Sequence, residues 1–148
     1  MEYDIKNIIT DKKRYLNLLL IGDESERMIY RYLSQGSLYV LFISNVPAGV
    51  CVVTQESDRL IEIRNIAILP EYRRRGFGST LLRFIEKQYH GFDIQLGTGE
   101  TPSTLRFYEK AGFRYSHRIN HFFTDNYDHA IIEEGVLLDD MIYLIKRS

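Results

Sequence analysis

A stretch rich in arginine and glycine stands at the start of a predicted helix, and its composition suits anion binding. The stretch Arg73–Ser79 reads Arg-Arg-Arg-Gly-Phe-Gly-Ser, and it follows the apolar run Ile66–Pro70. The first backbone N–H groups of a helix have no acceptor within the helix, and the helix dipole adds positive charge there. Glycine has no Cβ, so the backbone can approach a ligand closely. A phosphate or pyrophosphate is the simplest ligand for this junction.

The spacing of the glycines argues against two common phosphate sites. A Walker A loop needs Lys-Ser or Lys-Thr after its last glycine, and no such pair follows a glycine in this sequence. The dinucleotide fingerprint needs a third glycine where this chain has Leu81. The pattern that does match is Arg or Gln, two residues, Gly, one residue, and Gly or Ala, which begins at Arg73. The alternative to an anion site is a purely structural role, in which this is a basic turn whose glycines relax the backbone at the start of the helix.

Length and composition indicate an ordinary globular protein. The 148 residues suit one domain over residues 1–148, and 45% of them are hydrophobic. The net charge of −1 argues against a dedicated nucleic-acid binder. The single Cys51 cannot form an internal disulfide, which favours a reducing compartment. The sequence shows neither a signal-peptide pattern nor an apolar run of membrane-spanning length, so we expect a cytoplasmic protein without a membrane partner.

Hydrophobic periodicity predicts alternating strands and helices around the loop. We expect Tyr3 and Ile5 to point inward from the first strand, and Thr10 or Asp11 to cap a helix over residues 12–20. A second helix begins at Asp23 or Ser25, and its apolar stripe predicts core packing. The remaining predicted elements are a hairpin of strands 38–43 and 48–54, a strand over 59–69, a helix to Tyr89, a strand over 92–96, a helix capped by Thr101 and ended by Gly112, and closing strands over 113–120 and 136–146.

The histidines and the cysteine offer little evidence of catalytic chemistry. His90, His117, His121 and His129 lack the spacing of metal ligands, because His117 and His121 fall in a predicted strand. His121 is an alternative general base if it faces the active-site cleft. Cys51 lies within Val50–Val53 and is expected to be a small core hydrophobe rather than a nucleophile.

A second pattern, Tyr108-x-x-x-Gly112-Phe113, ends a short predicted helix farther along the chain. Together the two patterns resemble the GCN5-related N-acetyltransferases (GNAT family) in order and spacing. The resemblance covers residues 38–121 by motif and extends weakly to the rest, and it is similar to a subgroup of uncharacterised bacterial acetyltransferases. It implies the GNAT fold, a mixed α/β (α+β) fold with a twisted, mostly antiparallel sheet of about seven strands and about four helices.

The resemblance also implies acetyl-coenzyme A as co-substrate and no metal. Backbone N–H groups of residues 74–79 would hold the pyrophosphate, and backbone groups of Ile66 and Ile68 would pair with the pantetheine arm. That pairing needs two strands to separate, which a bulge near Asn65 would permit. Family members often have Asn at the start of this helix, in contact with the pantetheine, and this chain departs from that pattern with Thr101. The implied coenzyme-binding residues are Ile66, Ala67, Ile68, Arg73, Arg74, Arg75, Gly76, Phe77, Gly78, Ser79, Thr101, Thr104 and Phe107.

Two residues are implied to be catalytic. Tyr108 would return a proton to the departing thiolate, a role suited to a phenol within hydrogen-bond reach. Its structural alternative is a core tyrosine, since the chain has 11 tyrosines. Glu62 would be the general base, because its spacing to Ala67 resembles that of the catalytic glutamate in the founding member of the family. Deprotonation through a water chain, with Glu62 merely paired to Arg59 or Arg64, is the alternative.

The acceptor is expected to be a small-molecule or peptide amine. Residues 121–140 hold six acids and no Lys or Arg, and with the acidic stretch 23–26 they could form an acidic mouth that attracts a cationic amine. A solvated acidic hairpin is the alternative. An acyl-coenzyme A-binding sensor with little turnover is the competing function, and an acyl group longer than acetyl also stays open. The closing strands of family members often pair between subunits, so a homodimer is one option.

Overall fold

The computed structural model describes residues 2–148 and divides into two compact units, one that ends at Gly91 and one that spans Phe92–Ser148. The expectation that residues 1–148 form a single domain stays a prediction. Seven strands of the two units run mostly antiparallel to their neighbours, and four helices have seven or more residues. This is the mixed α/β architecture expected from the sequence. Within residues 2–148, no helix combines the length and the apolar character that crossing a membrane requires.

Four antiparallel strands form the sheet of the first unit, and each pairs with the next along the chain. The predicted hairpin is confirmed: Ser44 and Asn45 both have positive φ, at 48° and 68°, which fits a two-residue turn between twisted strands. Tyr3 was expected to point inward, but it is about half exposed. Its ring packs edge-on against Phe77, with 6.3 Å between the ring centroids. The strands are β1 (Tyr3–Ile8), β2 (Ser37–Ile43), β3 (Val46–Gln55) and β4 (Leu60–Ile68).

Three α-helices pack around this sheet: α1 (Leu16–Gly22), α2 (Glu26–Leu33) and α3 (Phe77–Gln88). The helix expected over residues 12–20 instead begins as a single 3-10 turn and continues as α1 to Gly22. The Lys12 ammonium ties this turn to the C-terminal end of α2, because it donates to the carbonyl oxygens of Leu33 at 3.1 Å and Gly36 at 2.6 Å. Ser25 is the N-cap of α2, as one of the two expected alternatives, and accepts from the Met28 N–H at 3.2 Å.

The core of the first unit lies between α1, α2 and one sheet face. The predicted α2 stripe is buried, which confirms its role in core packing. Cys51 is fully buried in β3, and burial raises the pKa of its thiol, so it remains a neutral core residue. Residues that build this core include Leu18, Leu19, Ile29, Leu33, Leu38, Val40, Val50, Val52 and Ala67.

The second unit has three main strands with the last one in the middle: β5 (Asp93–Gly99), β9 (Met141–Lys146) and β6 (Arg114–Ile119). Helix α4 (Pro102–Lys110) follows β5. The predicted strand over 136–146 is wrong, because only its second half joins the sheet. The chain before it forms a short helix, α5 (Phe122–Asn126), and a small hairpin of β7 (Ile132–Glu133) and β8 (Val136–Leu137), with Phe123, Ile131 and Leu138 as a local core.

A cluster around His121 explains this break. His121 was expected in a strand, but it has φ of 57° and precedes α5. Its backbone N–H donates to Asp140 at 2.9 Å, and its ring Nδ1 lies 3.0 Å from Asp139. Thr124 donates to Asp139 at 2.8 Å, and Arg118 donates to Asp140 at 2.6 Å. The two aspartates are therefore bonded to His121, Thr124 and Arg118. In a continuous strand, residues 139 and 140 would instead have joined the hydrogen-bond ladder of the sheet.

The same contacts shift the pKa values of this cluster. The Asp139 hydrogen bond and charge raise the pKa of His121 above its ordinary 6.5. Thr124 and then His121 lower the pKa of Asp139, while the His121 N–H and then Arg118 lower that of Asp140. The histidine contribution to stability is fully present below the unfolded pKa and is lost as pH rises through the folded pKa. The aspartate contributions are present above the unfolded pKa and are lost as pH falls through the folded values.

We therefore expect the free energy of unfolding to decrease between about pH 6 and pH 8 through loss of the His121 charge. His121→Asn should reduce this decrease, because asparagine tolerates positive φ but does not titrate. Urea denaturation at both pH values measures it. His90→Asn, at an exposed position after α3, is the matched control and should keep the full decrease. An unchanged pH dependence in His121→Asn would contradict the assignment.

Candidate functional site

The arginine-rich loop is held in a fixed shape by its own backbone. After β4 the chain makes one 3-10 turn over Pro70–Tyr72, and the Arg73 N–H donates to the Pro70 carbonyl at 3.2 Å. The Arg73 guanidinium Nε donates back to the Ile68 carbonyl at 3.1 Å, which ties the loop to the end of the strand. Arg74 and Gly76 have positive φ, at 64° and 83°. The loop is therefore already shaped in the protein alone.

The loop leads into helix α3, whose N-terminus is not capped by a side chain. Gly76 is the N-cap residue of α3, and the first bond of the helix runs from the Thr80 N–H to the Gly76 carbonyl at 3.0 Å. The N–H groups of Phe77, Gly78 and Ser79 thus precede the first intrahelical donor. A Cβ on Gly76 would meet no atom within 4 Å, so the space in front of this turn is open. The buried Phe77 side chain anchors the helix start. This arrangement can accept an anion through backbone donors and the helix dipole.

The strand before the loop contains the expected bulge. Val52 lies opposite Asn65, but Val53 lies opposite Ile63, so Arg64 is an extra residue in β4. The bulge is therefore confirmed next to Asn65. Beyond it, Ile66, Ala67 and Ile68 continue the strand, with Cys51 opposite Ile66 and Gly49 opposite Ile68. The expected pairing of these residues with a pantetheine arm stays a prediction.

The candidate base Glu62 is buried and paired. Its side chain is 7% exposed, and one carboxylate oxygen lies 3.5 Å from an Arg64 guanidinium nitrogen. The same guanidinium donates to Thr54 at 3.0 Å and lies 3.4 Å from Glu56. The ion pair with Arg64 was the structural alternative for Glu62, and that contact is present. A paired carboxylate can still accept a proton, so the base role stays a prediction.

The candidate acid Tyr108 belongs to the second unit, on α4. Its side chain is buried, and its ring packs edge-on against Phe107 at 5.1 Å and Phe113 at 5.7 Å between centroids. Gly112 has φ of 100° and ends the helix as expected, and the Phe113 N–H donates to the Tyr108 carbonyl at 3.0 Å. The ring is thus held by neighbours on both sides. The acid role of its hydroxyl stays a prediction.

The hydroxyl group of Thr101 is buried without a hydrogen bond. It is fully buried at the N-cap position of α4, yet its hydroxyl makes no cap hydrogen bond. Among residues 2–148, its Oγ1 has no hydrogen-bond partner. A buried polar atom left unpaired costs about 1–3 kcal/mol, so such atoms usually serve a ligand or water. Thr104, half buried, and Phe107, partly exposed, lie one and two turns farther along the same helix.

The acidic segment 121–140 is more internally bonded than its composition indicated. Asp139 and Asp140 are held by the His121 cluster, Glu134 accepts from Ser103, and Asp128 lies 2.7 Å from His129. One donor atom each from His121, Asp139 and Asp140 lie within 4.8 Å of one another, a spacing that could hold a metal ion. The carboxylate oxygens of this cluster already accept hydrogen bonds from Arg118, Thr124 and the His121 N–H group. The cluster therefore stabilises the local fold. No sequence signal could have revealed it, since its members lie far apart in the chain.

The chain is similar to known acetyltransferases in sequence. The profile described as "Acetyltransferase (GNAT) domain" matches residues 34–115. An uncharacterised N-acetyltransferase, YvbK of Bacillus subtilis (strain 168), is 36% identical over 132 residues, which cover 86% of this chain and 85% of that protein.

Two solved structures are similar over nearly the whole chain. A GNAT-family acetyltransferase of Elizabethkingia anophelis, with acetyl-CoA bound, has a TM-score of 0.92 at 31% identity and covers 99% of this chain and 98% of its own. A Bacillus subtilis acetyltransferase in complex with CoA has a TM-score of 0.89 at 31% identity, with 99% of each chain covered. By fold and by sequence, this chain belongs to the GNAT family of N-acetyltransferases.

Proposed function

We propose that this protein transfers an acetyl group from acetyl-coenzyme A to a primary amine, by direct transfer in a ternary complex. The observation that carries the proposal is the uncapped start of α3, with an open space at Gly76 and arginines beside it. The relatives from Elizabethkingia anophelis and Bacillus subtilis that bind acetyl-CoA and CoA support the same ligand. The acceptor is a small-molecule or peptide amine.

Two features of the protein fit the coenzyme. The N–H groups of residues 74–79 would bind the pyrophosphate, and the Arg73 side chain, tied to Ile68, would keep the loop in place. The unpartnered Thr101 hydroxyl is suited to a polar group of the pantetheine arm, where family members often use Asn. Backbone groups of Ile66 and Ile68 would pair with that arm, and the bulge at Arg64 gives the strand the local irregularity that such pairing needs.

The chemistry needs two proton transfers, one from the protein to the leaving sulfur and one from the attacking amine to the protein or to water. Acetyl-coenzyme A supplies a thioester whose carbonyl carbon bonds to the amine nitrogen while the carbon–sulfur bond breaks. Tyr108 gives its phenolic proton to the sulfur that leaves, and Glu62, or a water chain, accepts the proton that the amine loses. Backbone N–H groups of the β4 strand would stabilise the oxyanion that forms on the carbonyl oxygen.

Direct transfer is favoured because the only thiol is unsuited to carry an acetyl group. Cys51 is fully buried, and burial raises the pKa of its thiol. The thiolate is the nucleophilic form, so this residue stays unreactive. A single reduced, buried cysteine also fits a cytoplasmic location.

The coenzyme site predicts the effect of one glycine substitution. Gly76→Ala should raise the Kd for coenzyme A about tenfold, because a Cβ would strain the positive φ and occupy the open space before α3. Isothermal titration calorimetry measures this Kd. Gly91→Ala is the matched control, since Gly91 has a similar φ of 91° and equally open surroundings at the other end of α3. Equal Kd values for the two variants would count against the assigned loop.

The acid role predicts a separate effect. Tyr108→Phe should lower kcat by about 10²-fold or more, the usual contribution of a general acid, and should leave the Kd for acetyl-coenzyme A unchanged. Thiol release from acetyl-coenzyme A with pooled polyamines, amino acids and lysine peptides measures turnover. Tyr115→Phe, at an exposed position in the same unit, is the control. Coenzyme binding without release from any pool would favour the sensor function.

A further inference from the structure

The side chain of Asn65 connects β4 to the two helices that pack on it. It is 4% exposed, and its Nδ2 group donates to the Leu19 carbonyl of α1 at 2.9 Å and to the Tyr32 hydroxyl of α2 at 3.1 Å. Each acceptor has a second bond, because the Asp23 N–H donates to the Leu19 carbonyl at 3.0 Å and Tyr32 donates to the Asp23 carboxylate at 3.2 Å. Removal of the amide would therefore leave neither group without a partner.

The other polar atom of the Asn65 amide is unfavourable for folding. Its Oδ1 atom is buried and has no hydrogen-bond partner within residues 2–148. A buried acceptor without a partner carries a desolvation penalty that an apolar side chain would avoid. The surrounding core is otherwise built from apolar residues such as Leu18, Val50 and Ala67. A local choice that costs stability in this way is typical of a functional site.

The backbone of the next residue, Ile66, faces away from β3. The Leu69 N–H donates to the Ala48 carbonyl at 2.8 Å, which makes these two a hydrogen-bonded pair of the antiparallel ladder. Such pairs alternate along a ladder, so the N–H and carbonyl groups of Ile66 and Ile68 point away from β3. The Ile68 carbonyl accordingly accepts from the Arg73 side chain at 3.1 Å. These outward groups are the ones that the proposed function assigns to the coenzyme.

The C-terminal end of α1 lies against the same point of β4. A Cβ added to Gly22 would collide with the Asn65 Oδ1 atom and would lie 2.9 Å from the Asn65 Cγ atom and 3.3 Å from the Ile66 carbonyl oxygen. Glycine permits this close approach because it has no side chain. The Asn65 amide is therefore confined between the backbone of α1 and the strand, directly beside the Ile66 carbonyl.

The bulge explains why a side-chain anchor is needed at this position. Arg64 is the extra residue of β4, and a bulge locally interrupts the ladder that would otherwise fix the strand. The Asn65 amide follows the bulge and precedes Ile66, so its two hydrogen bonds restrain the chain where the ladder does not. Backbone donors stabilise a transition state best when they are already in place before the reaction.

We propose that Asn65 is a positioning residue for acetyl transfer, whose amide holds the Ile66 backbone in place toward the thioester of acetyl-coenzyme A. Gly22 contributes by leaving room for that amide. The inference rests on the proposed function. Asn65 acts through Ile66 and touches neither the coenzyme nor the acceptor.

Removal of the amide tests the proposal. Asn65→Ala should lower kcat at least about tenfold, because a backbone donor that is no longer fixed stabilises the oxyanion less. The Kd for coenzyme A should change by less than about threefold, since residues 74–79 bind the pyrophosphate without Asn65. Thiol release from acetyl-coenzyme A with the pooled amines measures kcat, and calorimetry measures the Kd.

Val40→Ala is the matched control, because Val40 is a buried residue of the same core. It should lower the melting temperature and retain the wild-type kcat. A wild-type kcat in Asn65→Ala, or an equal loss of kcat in Val40→Ala, would overturn the positioning role. Tyr32→Phe is the second variant in case Asn65→Ala does not fold. It removes one of the two acceptors of the amide and should lower kcat about threefold; an unchanged kcat would then overturn the proposal.

A double-mutant cycle tests the contribution of Gly22. Gly22→Ala should lower kcat about tenfold, because the new Cβ would displace the Asn65 amide. In the Asn65→Ala background the amide is absent, so the same substitution should cause little further loss. Losses that multiply in the double variant would show that the two residues act independently, which contradicts a shared role.

Hydrogen exchange separates this proposal from the proposed function, because it requires no turnover. Addition of acetyl-coenzyme A should slow exchange of the Ile66 N–H in the wild type, and the slowing should be about tenfold smaller in Asn65→Ala. That result in a protein that releases no thiol would support the positioning role and would count against acetyl transfer. Equal slowing in the two proteins, or none in the wild type, would overturn the positioning role even if both proteins transfer acetyl groups.

Discussion

The bulge at Arg64 is the constraint on which the site of the first unit depends. The extra residue shifts the register of β4 against β3, so that Asn65 is buried and reaches α1 and Tyr32, while Arg64 is exposed and reaches Glu62 and Thr54. A strand without the bulge would change the face of every side chain on one side of it, because side chains alternate with a period of two. The buried amide and the course of Ile66–Ile68 toward the loop are thus consequences of one irregularity.

The arginine-rich loop likewise depends on the geometry of its backbone. The Arg73 side chain is used for structure, because its guanidinium holds the end of β4, and the backbone is left to provide the donors. Positive φ at Arg74 and Gly76 directs the chain so that the first N–H groups of α3 are open at its end. The non-glycine residue at Arg74 makes this conformation less favourable, and the buried Phe77 offsets that by fixing the helix start in the core. A site built from backbone donors binds an anion by position more than by side-chain identity.

Local signals in the sequence were sufficient for most of the fold but not for the second half of the second unit. The α2 stripe, the hairpin turn at Ser44-Asn45 and the Gly112 helix end follow from periodicity or from backbone preferences of single residues. The bulge near Asn65 was expected only from the family resemblance. The break before β9 does not follow from local signals, because Val136–Leu138 and Met141–Lys146 have the same strand-like composition. What separates them is a set of contacts from Asp139 and Asp140 to His121 and Arg118, which are distant in sequence. The unpartnered Thr101 hydroxyl and Asn65 oxygen were equally hidden, since an absent partner is a property of packing.

The acidic residues illustrate why counting charges is a weak guide to an acceptor. Residues 121–140 looked strongly acidic, yet Asp139 and Asp140 face His121 and Arg118, and much of their charge is compensated inside the protein. A carboxylate in an ion pair attracts a cationic ligand less strongly than one whose charge is not compensated. For recognition of a cation, the bonding state of each acid therefore matters more than the number of acids.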